Sequence, residues 1–263
     1  MKNIRVVVHG ILGKMGQEVL NAVTHAEGMN VVGGADYYTA VDSIALPDNC
    51  GEIPIRQNIH EILVDADVVV DFTNAEGATS VIDATTRNGV NAVIGSTGLS
   101  QESIDNANKL STKHGTGIII APNFAMGAVL MSYLVEKASR FFEYADLTEV
   151  HHEGKIDAPS GTALAIAQSA ANGRQGSFTA PTPDEELVKG TRGGVHQGVV
   201  IHSGRMPGRV AHHEMVFGAL GQTLTIRHDS INRESFMPGV LMAIKASTQQ
   251  KGLVLGLDKI MGL

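Results

Sequence analysis

Residues 149–163 read EVHHEGKIDAPSGTA and combine two histidines, a lysine and a serine–glycine–threonine run. Histidine and lysine carry positive charge and exchange protons. The Pro-Ser-Gly sequence indicates a turn into a helix, and backbone N–H groups at a helix N-terminus bind carboxylates and phosphates. On a strand, His151 and His152 face opposite sides, so we expect different roles for them. The stretch therefore predicts a site for an anionic substrate.

The proposed anion site begins in the loop after the histidines. We expect Lys155 to lie in this loop, and the helix N-terminus to present backbone N–H groups and hydroxyls from Ser160, Gly161 and Thr162. Two plainer interpretations stay open: polar histidines at a strand end, and Ser160 as an ordinary helix cap.

A zinc site is a further alternative, because other histidines occur downstream at His202, His212 and His213. Zinc sites usually combine cysteines or regularly spaced histidines and acids. The chain has one cysteine, Cys50, and no such spacing. We therefore predict no metal.

The composition limits the class of protein. The chain has 263 residues, of which 43% are hydrophobic and 18% charged, with a formal net charge of −7. That charge argues against binding to nucleic acid or to an anionic membrane. No apolar run approaches the roughly 20 residues that cross a bilayer, and the N-terminus lacks the features of a signal peptide. We expect a cytoplasmic location.

A glycine-rich loop follows the first predicted strand, Ile4–Val8. The loop opens a helix, and an acid, Asp36, ends the second predicted strand, Met29–Ala35. This arrangement is typical of dinucleotide binding: glycines admit the pyrophosphate and the acid holds ribose hydroxyls. A bare structural turn is the alternative. The predicted contacts in the loop are Gly10, Ile11, Leu12, Gly13, Lys14 and Met15.

The cofactor preference depends on a few side chains. Asp36 is followed by Tyr37 rather than by arginine, which favours the free ribose of NADH. Lys14 could instead reach the extra phosphate of NADPH. We expect NADH or NADPH, with NADH favoured.

Two further loops follow predicted strands and should lie at the same sheet edge. Each could be an ordinary start of a helix, but three loops at one edge favour a cofactor site. The residues are Gly95, Ser96 and Thr97 in GSTGLS, and Ala121, Pro122, Asn123 and Phe124 in APNFAMG.

The order of elements predicts two domains. Apolar strands alternate with helices over residues 1–125, which indicates a Rossmann-type, doubly wound parallel sheet. Residues 126–232 predict a smaller α+β domain with a mostly antiparallel open sheet, for substrate binding. Its predicted strands are Ala145–His151, Val195–Ser203, Gly208–Phe217 and Gln222–His228. Residues 233–263 should return to the first domain, with a helix over 234–248.

The run EVHHEGKIDAPSGTA resembles a motif of the bacterial 4-hydroxy-tetrahydrodipicolinate reductase family, also called dihydrodipicolinate reductase. GILGKMG, VDFT, IGSTG, APNFAMG and DSINRESFMPGV resemble further segments of that family, so the resemblance covers nearly the whole chain. It implies reduction of a cyclic dicarboxylate by NADH or NADPH on the route to diaminopimelate and lysine. It also implies a homotetramer built through the second domain.

The resemblance also implies roles for individual residues. His151 is the candidate acid or base and Lys155 the candidate proton donor. The substrate carboxylates are expected to contact His152, Gly161, Thr162 and Arg233. Another two-domain dehydrogenase, or a non-catalytic dinucleotide sensor, remains as an alternative. A sensor would not need Lys155.

Overall fold

The computed structural model describes residues 3–263. This part of the chain divides into two compact units. Unit 1 comprises the chain up to Phe124 together with Phe236–Gly262, and unit 2 comprises Ala125–Ser235.

Unit 1 contains an eight-stranded sheet. Its strands are β1 (Ile4–His9), β2 (Met29–Ala35), β3 (Ser43–Ala45), β4 (Glu52–Arg56), β5 (Val68–Asp71), β6 (Asn91–Ile94), β7 (Gly117–Ile120) and β13 (Gly252–Leu255). The spatial order is β13-β7-β6-β5-β1-β2-β4-β3, and only β3 runs antiparallel to its neighbour. The predicted parallel sheet is confirmed.

The helices of unit 1 form two groups. They are α1 (Lys14–His25), α2 (Ala75–Arg87), α3 (Gln101–His114), α6 (Met237–Gln249) and α7 (Leu257–Met261). Helix α1 contacts α6, and α2 contacts α3. The strand order runs outward from β1 in both directions, so right-handed crossovers place α1 and α2 on opposite faces of the sheet. The fold is therefore doubly wound, and its central strands are buried on both sides.

Unit 2 contains a five-stranded sheet in the order β12-β11-β8-β10-β9. The strands are β8 (Tyr144–His151), β9 (Gly194–His196), β10 (Val199–Arg205), β11 (Ala211–Ala219) and β12 (Gln222–Ser230). Helices α4 (Met126–Ser139) and α5 (Gly161–Arg174) pack on one face, around a core that includes Leu147, Ile166 and Met215. Only the β8–β10 pair is parallel, so the predicted mostly antiparallel α+β sheet is confirmed.

Some predicted elements were wrong in detail. The single predicted strand 195–203 is a hairpin of β9 and β10, because Gln197 and Gly198 both have positive φ and form its turn. The predicted strand 208–217 begins only at Ala211, after a turn that contains Gly208 at φ 77°. The predicted helix 234–248 begins at Met237, after a 3₁₀ turn at Arg233–Phe236.

Three strands of unit 1 were not predicted. Strands β3 and β4 form an antiparallel edge pair, and Pro54 in β4 obscures its strand pattern. Strand β13 is short and pairs with β7, so the C-terminal segment adds both a helix and a strand to unit 1. Among residues 3–263, no helix is both long and apolar enough to span a membrane.

Candidate active site

One face of the unit 2 sheet changes from apolar to polar along its strands. Register places Ile201, Leu147, Met215 and Ile226 in one cross-strand row on the helix-covered face. The next row on that face contains Ser203, Glu149, His213 and His228. The row after it contains Arg205, His151, Ala211 and Ser230. Two polar rows therefore lie above an apolar core, and we call them the polar rows.

The centre of the polar rows is a buried carboxylate–imidazole pair. Glu149 and His151 are two residues apart on β8, so their side chains share a face. Oε2 of Glu149 accepts a hydrogen bond from Nδ1 of His151. Oε1 of Glu149 accepts from Nη2 of Arg205 at 2.8 Å, and the Glu149 side chain is fully buried. The carboxylate is thus held between an imidazole and a guanidinium.

The surroundings perturb both members of this pair. Burial alone would raise the pKa of Glu149, but hydrogen bonds from Arg205 and Ser203 and the nearby positive charges lower it. Burial lowers the pKa of His151, as do the charges of Lys155 and Arg205, whereas Glu149 raises it. Glu149 is therefore ionised near neutral pH, and the pKa of His151 lies below the ordinary value of histidine.

A second histidine connects this pair to helix α5. The rings of His213 and His151 meet edge to face, with centroids 5.2 Å apart. Nε2 of His213 lies 3.3 Å from Oγ of Ser160. That oxygen accepts the backbone N–H of Ala163 at 3.1 Å, so its own hydrogen is available to His213. Burial lowers the pKa of His213 to about 4, which keeps this imidazole neutral.

Helix α5 begins at the predicted anion site. Ser160 is its N-cap, Gly161 is exposed and Thr162 is half-buried. Because the helix N-terminus carries unpaired N–H groups and the positive end of the dipole, it suits a carboxylate. A Cβ placed on Gly161 would have no neighbouring atom within 4 Å, so the space around this backbone is open to a ligand.

The loop between β8 and α5 presents the predicted lysine. Nζ of Lys155 lies 2.7 Å from Oδ1 of Asp157, and the backbone carbonyl of Asp157 accepts from Arg205 at 2.6 Å. His152 is exposed, on the side opposite to buried His151, as strand alternation predicted. Arg233 is exposed in the 3₁₀ turn after β12, and its side chain makes no hydrogen bond or ion pair within residues 3–263. The structure thus groups His151, Lys155 and Ser160 but provides no contact from Arg233.

The polar rows also contain the residue types of a metal site. Glu149, His151 and His213 each offer one ligand atom, and these atoms lie within 4.8 Å of one another. Both oxygens of Glu149 are already used, however, and Arg205 would repel a second cation. His212 is on the opposite face of β11 from His213, where it pairs with Asp229 at 2.6 Å. The geometry favours an acid–base cluster, and the absence of a metal stays a prediction.

The glycine loop of unit 1 fits a dinucleotide. Gly10 has φ 77°, which requires glycine, and a Cβ at Gly16 would overlap the carbonyl oxygen of Gly10. Helix α1 has Gly13 as its N-cap and no side-chain cap, so its first N–H groups remain available for phosphate. Leu12, Gly13 and Lys14 are exposed, Met15 is half-buried and Ile11 is fully buried.

The predicted ribose acid adjoins this loop. Asp36 accepts the backbone N–H of Leu12 at 3.0 Å and that of Tyr38 at 3.1 Å. Its carboxylate therefore fixes the glycine loop as well as facing the sheet edge where a ribose would bind. Tyr37 is largely exposed beside it.

The later loops of unit 1 converge on a carboxylate that the sequence analysis did not single out. Asp71, the last residue of β5, is fully buried and accepts from His9 at 2.7 Å, Thr73 at 2.7 Å and Ser96 at 2.6 Å. These residues follow or end three neighbouring strands, so one carboxylate ties three loops together. Ser96 thus uses its hydroxyl internally and offers only its backbone to a cofactor.

The other predicted loop contacts differ in exposure. Gly95 is half-buried, and Phe72 occupies the space that a side chain there would need. Thr97 and Pro122 are exposed, and Asn123 is half-buried. Ala121 and Phe124 are buried, and the Phe124 ring meets Phe72 at 5.7 Å.

Comparison with known proteins decides the family. The profile described as "Dihydrodipicolinate reductase, N-terminus" matches residues 4–124, and "Dihydrodipicolinate reductase, C-terminus" matches residues 127–261. The chain belongs to the dihydrodipicolinate reductase family. Members of the family are NAD(P)H-dependent oxidoreductases. The resemblance seen in the motifs is therefore confirmed.

Individual members of the dihydrodipicolinate reductase family match over their full length. A 4-hydroxy-tetrahydrodipicolinate reductase of Dehalococcoides mccartyi is 46% identical, with 100% of both chains covered. One from Moorella thermoacetica is 43% identical over 98% of each chain. The structure of a dipicolinate-bound dihydrodipicolinate reductase from Paenisporosarcina sp. TG-14 is 37% identical, with a TM-score of 0.88, and covers 98% of this chain and 99% of its own.

Within this dihydrodipicolinate reductase fold, the sequence analysis assigned no role to Glu149 and Arg205 in unit 2 or to His9 and Asp71 in unit 1. It considered His213 only as part of an alternative zinc site. A carboxylate two residues before a histidine on a predicted strand was a usable signal for Glu149, since both share one face. Arg205 and His213 reach the site only through strand register, which the sequence does not display.

Proposed function

We propose that the chain reduces 4-hydroxy-tetrahydrodipicolinate to tetrahydrodipicolinate with NADH or NADPH, on the route to diaminopimelate and lysine. The observation that carries the proposal is the arrangement of buried His151 and loop Lys155 beside the N-terminus of α5. Proton-exchanging groups next to a carboxylate site suit a cyclic dicarboxylate. The full-length similarity to reductases of that name supports the same reaction.

The proposed roles divide between binding and proton transfer. Ser160, Gly161 and Thr162 hold one substrate carboxylate through N–H groups and hydroxyls at the helix N-terminus. His152 and Arg233 supply further positive charge toward the carboxylates. Their exposed side chains are free to turn toward a ligand.

Proton transfer is assigned to two residues. His151 is the acid or base and Lys155 the proton donor to the ring carbon next to the site of reduction. Lys155 is oriented by Asp157, which also holds it near the helix N-terminus. A lysine beside a dianion neutralises it in the transition state and delivers the proton from the same position.

The cofactor is assigned to unit 1. When bound, NADH or NADPH supplies the hydride, which goes to the ring carbon that loses its hydroxyl as water. The glycine loop and the α1 N-terminus, Gly10 to Met15, hold the pyrophosphate, and Asp36 accepts the ribose hydroxyls. Gly95 to Thr97 and Ala121 to Phe124 line the nicotinamide side. We favour NADH, because Asp36 would repel an added phosphate and Tyr37 brings no cation, although Lys14 could partly offset this.

We further propose a homotetramer in the cytoplasm. One face of the unit 2 sheet is covered by α4 and α5, whereas Glu214, Arg227 and Asp229 form an ion-pair ladder on the other face. An uncovered sheet face with charges of both signs suits a self-complementary contact with further copies of the chain. Sedimentation velocity would distinguish a tetramer from a monomer.

The reaction is tested by oxidation of NADH, and separately NADPH, with substrate generated from pyruvate and aspartate semialdehyde by the preceding synthase. We expect rapid oxidation that requires the synthase, with NADH the better cofactor. The matched control omits only the synthase. Cofactor binding without oxidation would overturn the substrate assignment but not the dinucleotide site. A higher rate with NADPH would overturn only the cofactor preference.

A further inference from the structure

We propose that Glu149 and Arg205 are opposing positioning residues for His151. The carboxylate fixes which ring nitrogen faces the substrate and favours its protonation, and the guanidinium limits that effect. This inference rests on the proposed function only where the test measures turnover of the dicarboxylate substrate. The positions of the protons on His151 are measurable without any substrate.

The first step is the tautomer of His151. Ionised Glu149 has no hydrogen to donate, so Nδ1 of His151 must carry the hydrogen in their contact. In the neutral imidazole, Nε2 is then the unprotonated nitrogen and the one that exchanges protons. Glu149 is fully buried, and therefore water does not compete for this hydrogen bond.

The second step is the set of charges around the ring. Glu149 faces His151 from the same strand, Arg205 from β10, His213 from β11 and Lys155 from the loop that follows. Only Glu149 is negative among these four. Arg205 touches Glu149 on the oxygen that His151 does not use. Glu149 therefore favours the protonated form of His151, and Arg205, which binds the same carboxylate, opposes that effect.

The third step is the second contact of Arg205. Its guanidinium also donates to the backbone carbonyl of Asp157 at 2.6 Å, and the side chain of Asp157 pairs with Lys155. Arg205 thus links the pair on β8 to the loop that holds the lysine. One connected set of contacts, through Arg205, therefore orients both the ring of His151 and the ammonium of Lys155.

The proposal is tested by ¹⁵N and ¹³C NMR of histidine-labelled protein, with His151 assigned by a His151→Asn variant. In the wild type we expect Nδ1 protonated and Nε2 unprotonated above the pKa. Glu149→Gln should lower the pKa of His151 by about one unit and mix the two tautomers, whereas Arg205→Gln should raise it by a similar amount. A general loss of structure would not move the two variants in opposite directions.

Two further variants serve as control and reserve. Asp48→Asn removes the carboxylate of the exposed His25–Asp48 pair, and should change the titration of His25 while His151 titrates as in the wild type. If Glu149→Gln does not fold, Glu149→Asp keeps the charge but shortens the side chain, and should lower the pKa of His151 by less. The wild-type spectrum decides the tautomer in any case.

Turnover provides an independent readout. The limb of the kcat profile that reports His151, acidic if it acts as base and alkaline if it acts as acid, should shift to lower pH in Glu149→Gln and to higher pH in Arg205→Gln. Shifts in the same direction, or a wild-type His151 protonated at Nε2 alone, would overturn the proposal. Opposite NMR shifts with no reductase activity in any form would leave the positioning intact and refute the proposed function.

Discussion

Each unit buries one carboxylate against a histidine, but the remaining partners of the two carboxylates differ. Asp71 in unit 1 accepts from His9 and from the hydroxyls of Thr73 and Ser96. Glu149 in unit 2 accepts from His151 and from the guanidinium of Arg205. Neutral hydroxyls orient a carboxylate without adding charge. A guanidinium also changes the proton affinity of the carboxylate and of the histidine that contacts it.

The difference separates two tasks. The partners of Asp71 come from the ends of three parallel strands, so this carboxylate fixes the loops at the predicted cofactor edge. The partners of Glu149 are His151, in the proposed substrate site, and Arg205, so we propose that this carboxylate controls a proton on His151. We therefore propose that the same carboxylate–imidazole contact positions loops in unit 1 and supports acid–base chemistry in unit 2.

The largest expected effect comes from removing the lysine of the unit 2 site. Lys155→Ala should lower kcat by roughly 10²–10⁴-fold, because it removes the proposed proton donor. The KM for NADH should stay close to the wild-type value, since unit 1 holds the cofactor loops. Steady-state kinetics at saturating substrate would measure both.

Lys137→Ala is the matched control for this lysine. Lys137 lies on α4 in the same unit and pairs with exposed Glu136. We expect wild-type kinetics from it. If Lys155→Ala and Lys137→Ala were both as active as the wild type, the proton donor would have been assigned wrongly.

The next largest expected effect is on the pH dependence of the free energy of unfolding. Burial lowers the pKa of His213 to about 4 in the folded state, from 6.5 in the unfolded chain. Between these values the unfolded chain binds more protons, so stability is full above about pH 6.5 and falls toward pH 4. The imidazole alone should account for a loss of about 3 kcal/mol over that range. Urea unfolding at several pH values measures it.

His213→Gln should flatten this dependence. Some slope will remain, because burial also lowers the pKa of His151 and His228. His202→Gln, on the other face of the sheet, is the control and should keep a steeper slope than His213→Gln. Equal slopes for all three proteins would mean that His213 does not resist protonation.

The sequence predicted the fold because its strands carry a strong local signal. The mostly apolar, β-branched segments at 4–8 and 68–72 predict buried parallel strands without any knowledge of their partners. The β9–β10 hairpin was missed because its turn, Gln197-Gly198, interrupts an apolar run that otherwise resembles one strand. A polar turn of two residues is too short to stand out in that pattern.

The candidate site was predictable only where its residues are contiguous. His151, Lys155 and Ser160 share one motif, so their neighbourhood follows from sequence order. Arg205 reaches Glu149 across 56 positions, through strand pairing that depends on register. A shift of one residue would turn Arg205 to the opposite face, and nothing in the local pattern excludes that shift.

A smaller effect tests the unit 1 carboxylate. Asp71→Asn replaces one acceptor oxygen by a donor and should weaken the contacts with Thr73 or Ser96 by roughly 1–2 kcal/mol. Because these contacts fix the cofactor loops, we expect the dissociation constant of NADH to rise about tenfold. The KM for the dicarboxylate should change little. Titration of NADH fluorescence measures the first quantity.

The control for Asp71 is Asp83→Asn on α2. Asp83 forms an exposed pair with Arg87 and should bind NADH as the wild type does. If Asp71→Asn changed the KM of the dicarboxylate and left NADH binding intact, the division of tasks between the two carboxylates would be wrong.

The smallest expected effect compares two serine caps. Ser100 caps α3 in unit 1 and Ser160 caps α5 in unit 2, and each side chain accepts the N–H of the third helical residue at 3.1 Å. Replacing either by alanine should cost about 1 kcal/mol of stability. Only Ser160 also contacts a buried histidine, His213, and lies at the proposed carboxylate site.

Function should therefore separate the two caps where stability does not. Ser160→Ala should raise the KM for the dicarboxylate several-fold, and Ser160→Thr should restore most of it because the hydroxyl returns. Ser100→Ala should leave that KM unchanged. Thermal unfolding and steady-state kinetics on the same preparations give both quantities. Equal KM values for the two alanine variants would mean that Ser160 is only a helix cap, and that another residue contacts the substrate carboxylate.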